Sequence, residues 1–148
     1  MKAWPDFNDM GDLPIGIHCA TLKEVLAKFG SGNARREVVG RRLAHIHQLA
    51  HGTGRVRRFI VFGSFVTLKP EPNDVDIFLV MNDTFDVRTL QGEAKHVFDH
   101  MSAHNLLGTS VFWIPRAACM GGEEEAVSDW QIKRDGDRRG IVEVIPND

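Results

Sequence analysis

The chain has 148 residues, 43% of them hydrophobic and 26% charged, and a net charge of −2. That is the size and balance of a single soluble domain with a real core. It excludes a low-complexity or repeat array and a globally basic nucleic-acid binder, so any affinity for anions has to come from a local patch.

Residues 1–20 are rich in Pro, Gly and Asp and read as an irregular N-terminal arm, with Trp4, Phe7, Leu13 and Ile15 available to pin it to a core. Residues 21–148 then read as one domain. Thr21 and Glu24 have capping-box spacing, and Leu22, Val25, Leu26 and Phe29 follow with helical periodicity up to Gly30. Asn33 is a cap for a second helix, whose buried stripe is Val39, Leu43, Ile46 and Ala50 and whose stop is Gly52 and Gly54. Arg35, Arg36, Arg41 and Arg42 cluster at its front, as a solvated face or as a patch for phosphates or an acidic partner. Val56 to Phe62 reads as a strand, led in by Arg55, Arg57 and Arg58, and residues 74–80 as a second. A third helix is predicted from Asp86 to His104, with Leu90, Ala94, Val97, Phe98 and Met101 on one face. Thr109 to Ile114 forms a third strand, stopped by Pro115, and residues 116–129 a loop with the acidic run Glu123-Glu124-Glu125. A short strand near residues 130–133, a turn at Asp135-Gly136 and a last strand, Ile141 to Ile145, complete the chain. The pattern is α/β (α+β): a mixed sheet of about four to five strands flanked by helices.

Asp74 and Asp76 are two residues apart on a strand, so they share a face while Val75, Ile77 and Leu79 take the other. Their Cα atoms should lie about 6.6 Å apart, a spacing from which two carboxylates converge on divalent cations. Like charges this close disfavour joint ionisation unless a metal or a base compensates, and Mg2+ suits an all-oxygen site that also takes phosphates. Ahead of them Phe62-Gly63-Ser64-Phe65 breaks the preceding strand. Glycine lets the backbone approach a ligand, and the serine hydroxyl with neighbouring N–H groups can hold a phosphate oxygen.

The order strand, Gly63-Ser64, nine residues, then Asp74-Val75-Asp76 opening an apolar strand resembles the DNA polymerase beta-like nucleotidyltransferase superfamily, in particular its small single-domain bacterial members. Motif and order match over residues 56–114, most sharply over 62–80; Leu13-Pro14-x-Gly16-x-His18 and residues 133–144 also look like an uncharacterised branch of that superfamily. The resemblance implies that Gly63 and Ser64 contact the triphosphate of a nucleoside triphosphate and that Asp74 and Asp76 are catalytic and hold two Mg2+ ions. The reaction it implies is transfer of a nucleoside monophosphate to a hydroxyl acceptor, on a protein, an antibiotic or a nucleic-acid end.

Two departures stand out. The arginine that often follows Gly-Ser is missing from Phe65-Val66-Thr67-Leu68, leaving Lys69 as a point charge for the nucleotide. The third carboxylate of the family is missing from the strand at 109–114, where Ser110 or Phe112 takes its place; Glu125, Asp129 and Glu143 are the alternatives elsewhere. The second reading is therefore a catalytically degenerate module that binds nucleotide or a protein partner, such as a toxin–antitoxin component.

Weaker signals read as structure. His96, His100 and His104 recur at four-residue steps, a spacing open to metal but better suited to a solvated helix flank. His45, His47 and His51 show less order, and Trp113 and Trp130 read as packing. His18, in the arm, has a functional role only by resemblance. Cys19 and Cys119 are far apart in sequence and form no CxxC, which favours a reduced cytoplasmic setting. The start, Met1 to Asp6, lacks the apolar run of a signal peptide, and no stretch reaches the roughly 18 apolar residues of a spanning helix.

Overall fold

The structure, a computed structural model, describes residues 2–146; the ends of the sequence-based limits, residues 1, 147 and 148, lie outside them. Among the described residues five strands form one mixed sheet: β1 (Ile17–Thr21), β2 (Val56–Phe62), β3 (Asp76–Met81), β4 (Ser110–Pro115) and β5 (Ile141–Ile145). The strand order is β1-β5-β2-β3-β4, with β1 parallel to β5, β3 parallel to β4, and β2 antiparallel to both of its neighbours. This α+β sheet flanked by helices is the predicted class.

The first two helices start and stop where local chemistry directs. In α1 (Leu22–Phe29) the Thr21 hydroxyl accepts from the Glu24 N–H and the Glu24 carboxylate accepts from the Thr21 N–H, a complete capping box. Asn33 caps α2 (Ala34–His51) by accepting from the Arg36 N–H. The stripe Val39, Leu43, Ile46 and Ala50 is buried against Phe59, Val61, Ile77, Leu79, Val142 and Val144 on one face of the sheet.

Four elements depart from the sequence reading. Residues 17–20 belong to edge strand β1, so the arm ends at residue 16; Leu13 is buried and Trp4 and Phe7 pack on the core, whereas Ile15 is exposed. The third helix is broken into a 3₁₀ turn at Val87–Thr89, α3 (Ala94–Val97) and α4 (His100–Leu107). Asp99 is the reason for the last break: it adopts extended backbone and its side chain caps α4, a non-helical use of aspartate that competes with helix continuation. Met101, placed on the buried face of a continuous helix, is exposed as a result. The predicted loop at 116–129 contains α5 (Glu123–Ser128), and residues 129–131 are a 3₁₀ turn in place of a strand. The acidic run forms the first turn of α5, where aspartate and glutamate suit the helix dipole. Arg57 binds Glu123, and Arg58 binds Glu124, tying α5 to β2.

The helices α1 to α4 cover one face. Over the other, α5 and the turn after it lay Val127 and Trp130 on Ile60, Phe78, Val80 and Ile141. The end of that second face is left open, and the acid pair lies there. No helix of the described residues is long and apolar enough to cross a membrane.

Candidate functional site

Strand register puts Phe62, Asp76 and Ser110 in one row across β2, β3 and β4, with Ile60, Phe78 and Phe112 in the next. Residues in register share a face, so Asp76 sits at the entry of β3 on the partly covered side. Asp74, two residues earlier, accepts a hydrogen bond from the Ser110 hydroxyl at 2.9 Å. Burial, reinforced by the Asp74 charge and opposed by Arg139, the Ser110 hydroxyl and Arg134, raises the pKa of Asp76 to about 6. Among the described residues neither aspartate forms an ion pair.

Gly63 follows β2 with φ +81°, and a Cβ there would run into the Asp76 carboxylate. Both facts require glycine: the backbone is left-handed and lies directly against the acid. Ser64 opens a 3₁₀ turn, Ser64–Val66, and its carbonyl accepts from the Thr67 hydroxyl. Arg36 holds this loop. It is buried, at 7% exposure, and its guanidinium donates to the carbonyls of Phe29, Phe65, Thr67 and Lys69. One member of the predicted arginine patch is thus a tether from α2 to the Gly63-Ser64 loop.

Beside Asp76 opens a cavity of about 270 Å³. Gly63, Asp76, Phe62, Phe112, Trp130 and Ile132 form part of its wall, and Lys133, Arg134 and Arg139 the remainder. The aromatic side is continuous: Trp130 lies 4.5 Å from Phe62 and 5.1 Å from Phe112 between ring centroids. On the cationic side, Asp12 is 4% exposed and faces Lys133 Nζ at 3.3 Å and Arg139 at 3.4 Å.

Gly63 and Asp76 therefore line the cavity as the sequence suggests, while Asp74 joins them through Ser110. Ser64 stands next to Gly63 but does not line it. Lys69 is exposed and contributes its backbone carbonyl to Arg36, so the cations of the cavity are Lys133, Arg134 and Arg139 in its stead. Sequence reasoning missed these three as a charge cluster; the signal was present in the four cations Lys133, Arg134, Arg138 and Arg139 flanking the Asp135-Gly136 turn. Trp113 packs on the helical face and its indole N–H donates to Phe98, whereas Trp130 both packs and lines the cavity.

The strand neighbouring β3 is the predicted one, and it offers Ser110 opposite Asp76 and Phe112 opposite Phe78. The three alternative acids lie elsewhere. Glu143 accepts two bonds of 2.7 Å from Arg58, Glu125 is exposed with its carboxylate against Gly121, and Asp129 is exposed at the end of α5. Among the described residues no group of three His, Cys, Asp or Glu side chains is placed to hold a metal. The histidine stripe is split by the break before α4; His100 Nδ1 lies 3.1 Å from the Val111 carbonyl and its ring 4.7 Å from Phe112. His18 Nε2 lies 2.7 Å from the Pro14 carbonyl and holds the arm locally.

These features define an α+β protein with a carboxylate-bearing, cation-lined cleft at one end of a mixed sheet. By sequence the chain belongs to a family described as "Family of unknown function (DUF6932)", whose model matches residues 5–145. No curated protein and no solved structure matched the chain.

Proposed function

We propose that this chain is a magnesium-dependent nucleotidyltransferase-type protein. It binds a nucleoside triphosphate at the cleft and moves the nucleoside monophosphate to a hydroxyl acceptor, in the cytoplasm. The observation that carries this reading is Asp76 at the entry of β3, against Gly63 and beside a cavity of cations and aromatic rings, with Asp74 two residues before the strand on the hydroxyl of Ser110.

The donor set fits Mg2+: hard carboxylate oxygens, crowded like charges, and no ion pair to either aspartate among the described residues. Asp74 and Asp76 would hold the metal, which supplies charge neutralisation on the phosphates and alignment of the transferred group. The chain's own part is positional. Gly63 brings backbone to the carboxylates, Arg36 fixes the loop that follows, and Ser110 orients Asp74.

A second reading, a degenerate module that binds nucleotide or a protein partner such as a toxin–antitoxin component, is favoured by one observation. Ser110 stands where a third carboxylate would take the acceptor proton. General-base assistance is typically worth about 10²–10⁴-fold, so its loss leaves binding strong and turnover slow.

The test is incubation with Mg2+, labelled nucleoside triphosphates and cell lysate, alongside calorimetric binding. The transferase reading predicts label on protein or RNA that disappears in Asp74→Asn. Nucleotide binding without labelling selects the module, and absence of binding for all four ribonucleotides at millimolar concentration overturns both.

A further inference from the structure

The turn between Ile132 and Arg139 lines the same cleft as Asp76. It is a firmly built element. Lys133 N–H donates to the Asp137 carbonyl, Ile132 bridges Arg138, and Arg139 N–H donates to Gln131. Gly140 N–H donates to Leu13, and the buried Gln131 accepts from Gly16 N–H at 2.6 Å. The arm and the turn thus support each other, and three cations of the turn face one cavity.

Their counter-charges are unevenly placed. Lys133 and Arg139 share the buried carboxylate of Asp12, while Arg134 forms no ion pair among the described residues. A buried acid that bonds two cations facing a cleft holds them in place and discharges them only in part. The cavity is left with cationic hydrogen-bond donors on one wall and an aromatic wall of Phe62, Phe112 and Trp130 on another. Phe112 is 37% exposed although it stands in a sheet row beside Phe78, so its ring is available for stacking. Multiply charged phosphate suits the first wall, since guanidinium groups bind it bidentately. A nucleobase suits the second, since any base has a face to stack on aromatic rings.

We propose that the Ile132–Arg139 turn is the polyphosphate clamp of this site, with Arg134 and Arg139 its principal donors and Asp12 the positioning residue, and that Phe112 and Trp130 are the platform for the base. The proposal rests on the nucleotide reading above and assigns the phosphate role to residues outside the Gly63-Ser64 and Asp74/Asp76 motifs. It makes the ligand a nucleoside polyphosphate, bound between a charged and a flat apolar wall.

The acid pair and the clamp respond to different probes. Without divalent metal, inorganic tripolyphosphate should bind the full chain by calorimetry at low salt. Arg134→Gln and Arg139→Gln should each weaken it about tenfold, the loss of one charge-assisted contact. Arg134 is exposed and forms no ion pair among the described residues, so Arg134→Gln is expected to leave the fold intact and decides the matter even if Arg139→Gln unfolds. Asp76→Asn should tighten metal-free tripolyphosphate, because it removes a negative charge facing the anion, while abolishing the gain from Mg2+. Phe112→Ala should weaken nucleoside triphosphates and leave tripolyphosphate unchanged. Tripolyphosphate that does not bind, or binds Arg134→Gln as well as the parent, overturns the clamp; equal loss of both ligands in Phe112→Ala overturns the platform. If the arginine variants lose tripolyphosphate while Mg2+ enhancement survives Asp76→Asn, the clamp stands and the metal reading falls. If the enhancement needs Asp76 and the arginines are silent, the reverse holds.

Discussion

At Asp76, burial and the neighbouring Asp74 both disfavour the ionised carboxylate, which raises its pKa to about 6. The folded state then binds this proton more tightly than the unfolded chain, where an aspartate titrates near 3.9. The stabilisation this supplies is fully present below about pH 4 and is lost as pH rises through about 6. A difference of two pH units is worth about 3 kcal/mol at most. Asp76→Asn, nearly isosteric and uncharged, is therefore expected to melt several degrees above the parent at pH 7.5 in EDTA, and together with it at pH 3.5. Thermal unfolding at both pH values checks this. A difference that does not change with pH would mean that Asp76 ionises in the fold without cost. Asp74 and Asp76 were legible in the sequence as an acid pair at the head of an apolar run, but the strand starts at Asp76 and not at Asp74, which the Ser110 hydroxyl holds instead. Arg36 was not. Nothing local separates it from Arg35, Arg41 and Arg42; its role comes from carbonyls up to 33 residues away.

Helices α1 and α2 meet at two glycines. A Cβ on Gly40, in the middle of α2, would lie 2.9 Å from the Cα of Gly30, the residue that ends α1. In an exposed helix, Gly→Ala gains about 1 kcal/mol. Here backbone stands in the way, and overpacking of this kind costs about 1–3 kcal/mol. Gly40→Ala should therefore lower the urea midpoint with an unchanged slope; a raised midpoint would show that the end of α1 gives way. The element scale is also where sequence reading succeeded unevenly. Caps at Thr21 and Asn33 are local, and α1 and α2 start where they direct. Between Asp86 and His104 the helical spacing of apolar residues was real. Asp99 nevertheless spends its side chain on the Ser102 N–H and starts a new helix there.

Across the molecule, two partly buried titrating groups act in opposite directions. His47, on α2, packs its ring 5.1 Å from Phe59 and 4.2 Å from His51. Burial, with a smaller contribution from His51, lowers its pKa to about 4. A depressed histidine favours the fold while neutral, so its contribution is present above about pH 6.5 and is lost as pH falls towards 4. The ring is half exposed, and solvent screening reduces the effect to about 1 kcal/mol. His47→Leu should thus lose less stability than the parent between pH 7 and pH 4, the window in which Asp76 pulls the other way. Denaturant titrations at pH 4, 5.5 and 7 measure the two slopes; parallel curves for parent and His47→Leu would remove His47 from the account.

From the sequence alone followed the α+β class, the two leading helices and the last strand. Each depends on caps, periodicity or alternation over a few residues, and local backbone geometry is enough to impose them. Only the tertiary structure decided that Ile17–Thr21 joins the sheet, that Ser110 and not Phe112 stands opposite Asp76, and that Lys133, Arg134 and Arg139 line the cleft. The first and the last require β1 to meet β5 and the 132–139 turn to meet the arm, across more than 115 residues of chain, and the second requires β3 to pair with β4. Pairings at that distance are set by strand order and burial, which leave no local periodic trace.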